Sequence, residues 1–319
     1  MAIATEEALR TPSGDAGWKV PGWVLPIAII FSVAVAIRWF LPEAASYPKA
    51  WVIPIKEWIN ALFQWLAYDL DFGLFTFRDI TRAISWLLEW PLAVAEQLFH
   101  SGFDAVGLPP LPWLTMVGIV AIVGHYAGGW RTALIGGLCF FYLALFAVWP
   151  ASMETFALVA VTVPFAVIVG LFLGIAAARS PRVEAFLTPF LDVMQSTPHF
   201  AYLVPVVVLF GFGQVPALIA TAIFAIPPMI RCTILGLRTV SAEIVEAGRM
   251  AGCTERQLLW KVQLPAARAT VMVGVNQVIM QTLAMVVIAS LIGASGLGHN
   301  LLLSLNSLKM GQALEQGVA

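Results

Sequence analysis

Charged residues are scarce in this chain of 319 residues, in which Asp, Glu, Lys and Arg together make up 11%. A soluble domain carries about 25% of these residues. Hydrophobic residues make up 60% of the chain, so it has too little charge to coat a water-soluble globule of this size. The shortage excludes an ordinary cytosolic enzyme, a disordered chain and a disulfide scaffold. It predicts a helical protein that lies in a lipid bilayer.

Cysteine and histidine are also rare, with three cysteines and four histidines in the whole sequence. Cys139, Cys232 and Cys253 are odd in number and far apart, and no histidines fall at the spacing of a metal site. We therefore expect no structural disulfide and no metal site. The net charge of −1 gives no overall field that would attract nucleic acid.

Sequence motifs for catalysis are missing as well. A phosphate-binding loop needs a Gly-Lys pair followed by Ser or Thr, and no lysine in this chain follows a glycine. Neither a Gly-x-Ser-x-Gly elbow nor a His-Glu-x-x-His pair occurs. We expect no enzymatic activity and no cofactor in this chain, so any ATP that drives it must be hydrolysed by another chain.

Long apolar runs, by contrast, are frequent, and most approach the ~20 residues that a bilayer requires. The two runs between residues 199 and 230 are short and contain several Pro and Gly, so we expect them inside the bundle, where neighbours satisfy freed carbonyls. The predicted fold is an all-α integral membrane protein with about seven transmembrane helices and an incomplete last one at residues 309–319. The seven predicted spans are residues 24–42, 112–128, 132–149, 154–178, 199–212, 214–230 and 267–292.

Residues 43–111 differ from the rest because charges recur every few positions. Trp51, Trp58 and Trp65 are spaced by seven, which places them on one helix face. Amphipathic helices with an aromatic stripe lie in the membrane interface instead of crossing it. We interpret this segment as scaffold helices anchored in membrane lipid, with an aromatic ligand cage as the alternative.

The placement of basic residues predicts the orientation. Arginines crowd the polar segment 231–268 and follow the run that ends at residue 178, and the positive-inside rule makes both places cytoplasmic. Counting spans backward then places the N-terminus inside. The predicted parts are a cytoplasmic tail (1–22), a first span with extracytoplasmic scaffold helices (23–111), additional spans (112–149) and a membrane core (150–319) with a cytoplasmic loop at 239–265.

The cytoplasmic loop 239–265 predicts two short helices joined by a turn. Ser241 can cap the first helix, and Gly252 is a natural stop for it. Thr254 then begins a second helix, in which Thr254 and Gln257 form a capping box. Two capped helices at the cytoplasmic face favour a rigid docking element, and a solvated loop is the alternative.

The spacing within this loop resembles the EAA loop of ABC importer permeases. That family pattern is Glu-Ala-Ala, three residues, Gly, nine residues, Ile, any residue and Leu-Pro. Gly248 and Val262 stand where the family has Ala and Ile, and a glycine loosens a helix by about 1 kcal/mol. The matching residues are Glu246, Ala247, Gly248, Gly252, Val262, Leu264 and Pro265.

The region from residue 150 to residue 319 further resembles the permeases of glycine betaine and proline betaine importers. The resemblance implies a type I importer permease of the inner membrane that pairs with a second copy. In such a permease, the EAA residues couple the ATPase to the membrane spans. It also implies a cytoplasmic ABC ATPase that binds ATP and Mg, and an extracytoplasmic solute-binding protein. The supporting runs are residues 191–198, 202–205, 226–231, 261–265 and 286–292.

Two polar clusters in otherwise apolar spans are candidates for the solute pathway. Their uncharged amide and hydroxyl groups suit weak contact with a zwitterion such as glycine betaine, proline betaine or trimethylamine N-oxide, or with related carnitine or choline. Hydrogen bonding between helices is the alternative for both clusters. The clusters are Gln195, Ser196, Thr197 and Pro198, and Asn276, Gln277 and Gln281.

Two other functions stay open from the residues alone. One is an ATP-independent secondary transporter or channel, but proton-coupled carriers keep ionisable groups in the membrane, and residues 201–230 and 269–308 contain no Asp, Glu, Lys or Arg. The other is a membrane scaffold built on residues 43–111, which leaves the loop 239–265 unexplained. Binding of an ATPase to that loop discriminates the importer from both alternatives.

Overall fold

The structure is a computed structural model that describes residues 23–40, 53–71, 76–103 and 107–319. The helices of the first half are α1 (Val24–Phe40), α2 (Ile55–Gln64), α3 (Phe77–Glu96), α4 (Trp113–Gly128), α5 (Trp130–Leu145) and α6 (Trp149–Arg179). Those of the second half are α7 (Pro181–Ser196), α8 (His199–Phe210), α9 (Gln214–Arg238), α10 (Ala242–Met250), α11 (Glu255–Gln257), α12 (Leu264–Ala266), α13 (Arg268–Ala289), α14 (Leu297–Asn306) and α15 (Met310–Val318). The predicted all-α architecture is confirmed.

The chain divides into two compact units, residues 1–59 and 60–319. In the first unit α1 is an apolar helix with no buried residue. The predicted tail 1–22 and Trp51 lie outside the described residues. Trp58 on α2 is exposed, as expected for a helix that buries one face in an interface.

α3 is the longer of the two α-helices that the structure describes between residues 53 and 111. Thr76 caps its first turn, because the Asp79 N–H donates to Thr76 Oγ1 at 3.3 Å and the Thr76 N–H donates to Asp79 Oδ2 at 2.9 Å. Leu88 and Leu92 are buried against the core of the second unit, whereas Trp86 is exposed. The helix is therefore amphipathic, as the sequence predicts.

The core of the second unit is formed by α6, α9 and α13, with α9 packed against both of the others. Small residues let the helices approach closely, as is common between membrane helices. A Cβ atom added at Gly174 of α6 would lie 2.5 Å from Thr233 Cβ of α9, and one added at Gly274 of α13 would lie 2.8 Å from Cys232 Cβ. Through these close approaches, α6 and α13 both pack directly against α9.

α7 and α8 form one bent segment, with an angle of 108° between them. The break falls at Thr197 and Pro198, where Thr197 takes the extended conformation that a following proline favours. α8 buries only one face, including Tyr202 and Val206, and exposes Val204. The expected interior position therefore holds for α9, most of which is buried, but was wrong for the whole of α8.

α9 is longer than the predicted span 214–230. It continues without a break through Pro227 and Pro228 to Arg238. Arg231 and Arg238, which lie beyond the predicted end at residue 230, each pair with a carboxylate of α7. Paired charges are compatible with a membrane helix in a way that isolated charges are not.

The incomplete last helix that the sequence predicts at residues 309–319 lies at α15, and α14 precedes it. Two short helices, α14 and α15, are joined by a turn in which Leu308 has a positive φ of 55°. Among the described residues α6, α9 and the helical stretch Arg268–Ile292 are long and apolar enough to cross a membrane, and the α7–α8 pair passes the same test as one bent segment. α1, α4 and α5 are shorter apolar helices, so the count of seven spans stays a prediction.

Candidate functional site

The candidate site is the docking hairpin, which we define as residues 241–266. Its first helix, α10, begins after Ser241, at the predicted position. The Ser241 side chain makes no capping hydrogen bond, so this part of the prediction was wrong. Instead the Ser241 backbone carbonyl accepts hydrogen bonds from the N–H groups of Ile244 and Val245.

The turn of the docking hairpin is closed by backbone hydrogen bonds. The Gly252 N–H donates to the Arg249 carbonyl at 3.0 Å, and the Cys253 N–H donates to the Gly248 carbonyl at 3.2 Å. Gly252 has a φ of +78°, which a residue with a Cβ adopts only with strain. This pair of bonds is a Schellman motif, and it confirms Gly252 as the stop of α10.

The second half of the docking hairpin begins at the predicted capping box. The Gln257 N–H donates to Thr254 Oγ1 at 3.3 Å, and the Thr254 N–H donates to Gln257 Oε1 at 2.9 Å. The chain then passes through a π-helical turn at Leu258–Gln263 before α12, which the sequence did not predict. Pro265 has no N–H to donate to the Lys261 carbonyl, so the ordinary helical ladder is interrupted there.

The two halves of the docking hairpin pack closely at Gly248. A Cβ atom at this position would lie 2.7 Å from Leu258 Cδ1 and 3.3 Å from Val262 Cγ2. Leu258 is only 1% exposed. The two positions that depart from the EAA pattern, Gly248 and Val262, therefore face one another, and both carry the smaller residue. The glycine provides room for Leu258 at the same time as it lowers the intrinsic helix propensity of α10.

The seven EAA residues fall into two groups by burial. Gly248 is buried and Val262 and Leu264 are half-buried, so these three hold the docking hairpin together. The other four, Glu246, Ala247, Gly252 and Pro265, are exposed. These four are the most accessible of the seven to a partner.

Contacts with α6 anchor the docking hairpin to the bundle. The Trp260 ring meets the Phe172 ring edge-on, with 6.3 Å between ring centroids. The Arg179 guanidinium at the end of α6 lies 4.0 Å from the Glu255 carboxylate. The docking hairpin is therefore held at the end of the bundle where α6, α9 and α13 have their basic termini.

The first predicted pathway cluster lies at the α7–α8 bend. Gln195 and Ser196 are exposed. The Ser196 and Thr197 hydroxyls both donate to the Val193 carbonyl, at 3.1 Å and 2.6 Å. These two hydroxyls satisfy the end of α7, as a local capping role requires, and Gln195 is the exposed amide of the cluster.

The second predicted pathway cluster lies on α13. Asn276 and Gln277 are exposed and Gln281 is half-buried. The three side chains share one broad face of the helix, because residues four apart lie on the same face. No hydrogen bond joins them to the α7–α8 cluster within the described part of the chain.

Comparison with known proteins decides the family. Residues 166–317 match the family described as binding-protein-dependent transport system inner membrane component. The chain is 39% identical over 270 residues to the glycine betaine/proline betaine transport system permease protein ProW of Escherichia coli, covering 83% of this chain and 72% of that protein. The chain belongs to this family. Its members are membrane components of transporters and not enzymes, as the missing catalytic motifs predict, and the family description places them in the inner membrane.

Two further relatives set the extent of the match. The chain is 38% identical over 277 residues to the glycine betaine/carnitine transport permease protein GbuB of Listeria monocytogenes, covering 85% of this chain and 92% of that protein. It is 38% identical over 322 residues to the trimethylamine N-oxide transport system permease protein TmoV of Ruegeria pomeroyi, covering 100% of this chain and 48% of that protein. The chain thus spans about half the length of the TmoV relative.

Sequence reasoning missed one feature near the site, the attachment of α7 to α9. Glu184 and Asp192 are eight residues apart on α7, and Arg231 and Arg238 are seven apart on α9. Both spacings place a pair of charges on one helix face. Matching opposite charges at these spacings was the signal that could have identified α7 as a packed helix.

Proposed function

We propose that this chain is the membrane-spanning permease part of an ATP-driven importer for a small methylamine solute. The solute class follows the relatives, whose names specify glycine betaine, proline betaine, carnitine and trimethylamine N-oxide. A solute-binding protein delivers the solute from outside the cell, and a separate ABC ATPase binds ATP and Mg and hydrolyses ATP in the cytoplasm. The observation that carries this proposal is the capped docking hairpin.

The docking hairpin suits mechanical coupling because both of its helices are closed by local hydrogen bonds and packed on each other. An element of this kind moves as a unit when a partner displaces it. The exposed Glu246, Ala247 and Gly252 form the contact with the ATPase in this proposal. The buried Gly248 and the half-buried Val262 and Leu264 keep the element rigid.

The exposed amides of α13 support a second copy of the permease. Asn276 and Gln277 lie on a helix that is apolar enough to span a bilayer. Polar side chains in a membrane helix face protein or water and not lipid. In this proposal, a solute pathway between two copies of the chain is lined by Asn276, Gln277 and Gln281 and by the bend at residues 195–198. The N-terminus and the docking hairpin face the cytoplasm, as the positive-inside rule predicts.

The test is uptake of labelled glycine betaine and trimethylamine N-oxide into proteoliposomes that contain the permease, its ATPase and its binding protein. Gly252→Trp is compared with Gly252→Ala. Both variants carry the same backbone strain, and an added Cβ meets no atom within 4 Å, so only the tryptophan places bulk on the docking surface.

We expect uptake that requires internal ATP, that Gly252→Ala retains in large part and that Gly252→Trp abolishes, with ATP hydrolysis no longer linked to uptake. ATP hydrolysis without uptake of either solute would keep the importer and discard the solute class. Uptake that ignores ATP and survives Gly252→Trp would overturn the proposal in favour of an ATP-independent carrier.

A further inference from the structure

Two ion pairs tie α7 to the end of α9. Arg231 Nη2 lies 2.5 Å from Asp192 Oδ1, and Arg238 Nη2 is hydrogen bonded to Glu184 Oε2. The earlier carboxylate on α7 pairs with the later arginine on α9, so the two helices run antiparallel at the contact. We call these four residues the ionic ladder.

The ionic ladder adds a polar attachment to a shallow apolar one. Within this helix of 16 residues only Leu191 is fully buried, and the half-buried Val183, Leu187 and Met194 lie on the same face. Phe186, Phe190 and Val193 are exposed. The two charged contacts join α7 to the C-terminal part of α9, which is the part that leads into the docking hairpin.

One end of the ionic ladder is connected to the docking hairpin. Only residues 239–241 separate α9 from α10. Thr239 Oγ1 donates to the Leu235 carbonyl at 2.9 Å, so the residue after α9 is hydrogen bonded to the last turn of that helix. A displacement of α10 must therefore move the Arg238 end of α9. Arg231 lies seven residues earlier, about 10 Å further along the same helix, so both rungs respond together.

The other end of the ionic ladder is connected to the polar bend. Asp192 lies three residues before Gln195, the exposed amide of the first pathway cluster. The Tyr202 hydroxyl of α8 donates to the Met194 carbonyl of α7, which fixes the inside of the bend. Because this bond ties α8 to the end of α7, movement of α7 is transmitted to residues 195–198.

We propose that the ionic ladder transmits movement of the docking hairpin to the polar bend of the solute pathway, with Glu184, Asp192, Arg231 and Arg238 as positioning residues for transport. This inference rests on the proposed function, because it assumes that an ATPase moves the docking hairpin. The ladder couples ATP hydrolysis to opening of the bend, and it makes no contact with the solute.

The test separates coupling from stability in the complete transporter in proteoliposomes. Asp192→Asn and Arg231→Gln each remove one rung, Asp192→Arg combined with Arg231→Asp reverses it, and Asp79→Asn is the matched control. Asp79 has an exposed ion pair with Arg82, at 3.9 Å, which is internal to α3 and involves no residue of α7 or α9. The measurements are ATP hydrolysed per solute imported, the KM for solute and the thermal unfolding midpoint.

Each single variant is expected to raise the ATP used per imported solute by about fivefold or more, with the KM for solute unchanged. The reversed pair should restore the ratio to near the wild-type value, and Asp79→Asn should leave it unchanged. If Asp192→Asn does not assemble, Glu184→Gln and Arg238→Gln test the second rung in the same way.

An unchanged ratio in the single variants of both rungs, with wild-type uptake coupled to ATP, would overturn the ladder and leave the proposed function standing. A lower unfolding midpoint with an unchanged ratio would also overturn it, because the pairs would then be structural only. Wild-type protein without ATP-coupled uptake would overturn the proposed function and the ladder together.

Discussion

The docking hairpin follows the end of α9 and α7 is paired with the same part of α9, but the two are held in opposite ways. The docking hairpin is closed by contacts between residues a few positions apart, the Schellman bonds at Gly252 and the capping box of Thr254 and Gln257. α7 is held by charges that are 39 and 54 residues away in sequence. The docking hairpin is held rigid by hydrogen bonds between nearby residues, whereas α7 is positioned by ion pairs with residues far away in sequence.

Within the proposed importer, this difference suits the two regions to different roles. A part that receives force from a partner must not deform, and short-range backbone hydrogen bonds with a buried Leu258 provide that stiffness. A part that moves between two positions needs contacts that can break and re-form at small free energy, and exposed ion pairs contribute about 0.2–1 kcal/mol each.

Removal of the buried side chain should break the docking hairpin most severely. Leu258→Ala is expected to cost about 2–5 kcal/mol, because it leaves a cavity under Gly248. Hydrogen exchange of residues 242–266 should accelerate strongly, with α7 unchanged. Leu308→Ala is the control, since Leu308 is 75% exposed. Unchanged exchange in Leu258→Ala would show that the hairpin is not held by this packing.

Removal of the local cap should have a smaller effect. Thr254→Ala is expected to destabilise the second half of the docking hairpin by about 1 kcal/mol, since the Gln257 N–H loses its acceptor. Ser241→Ala is the matched control, because the Ser241 hydroxyl makes no capping bond. Equal effects of the two substitutions on hydrogen exchange would contradict the difference between the caps.

Salt should distinguish the two regions by a smaller amount again. An increase from about 0.1 M to about 1 M shortens the screening length from about 10 Å to about 3 Å. The exposed pairs of the ionic ladder then weaken, and amide exchange in α7 should rise about two- to fivefold. Exchange at the Gly252 turn and at the Thr254 and Gln257 box of the docking hairpin should stay constant, since these hydrogen bonds are uncharged. An equal rise of amide exchange with salt in the docking hairpin and in α7 would show that the two regions are not held by different kinds of contact.

Acid should distinguish two capping boxes that differ only in charge. Hydrogen bonds from the backbone and side chain of Thr76 lower the pKa of Asp79 at the start of α3. The stabilisation is therefore present above the unfolded-state pKa of Asp79 and is lost as the pH falls through the lower folded-state value. Exchange in the first turn of α3 should rise in that window, whereas the Thr254 and Gln257 box should not respond. We expect this to be the smallest of the four effects.

Much of the docking hairpin could be predicted because its determinants are close together in sequence. A capping box needs only Thr254 and Gln257, and a helix stop needs only Gly252. The reason for Gly248 could not be predicted, because it depends on Leu258 reaching back across the turn. The missing capping bond of Ser241 could not be predicted either, because a residue type that suits capping does not determine its own side-chain rotamer.

The sequence by itself determined the all-helical membrane class, the positions of the apolar helices, the capped hairpin and the family pattern within it. These features depend on composition, on helical periodicity and on hydrogen bonds across three or four residues. Only the tertiary structure decided that α9 runs on to Arg238, that α7 is a separate helix and that the α7–α8 segment bends by 108°. The physical reason is that these features depend on residues far apart in sequence, as when the fold brings Asp192 and Glu184 to Arg231 and Arg238.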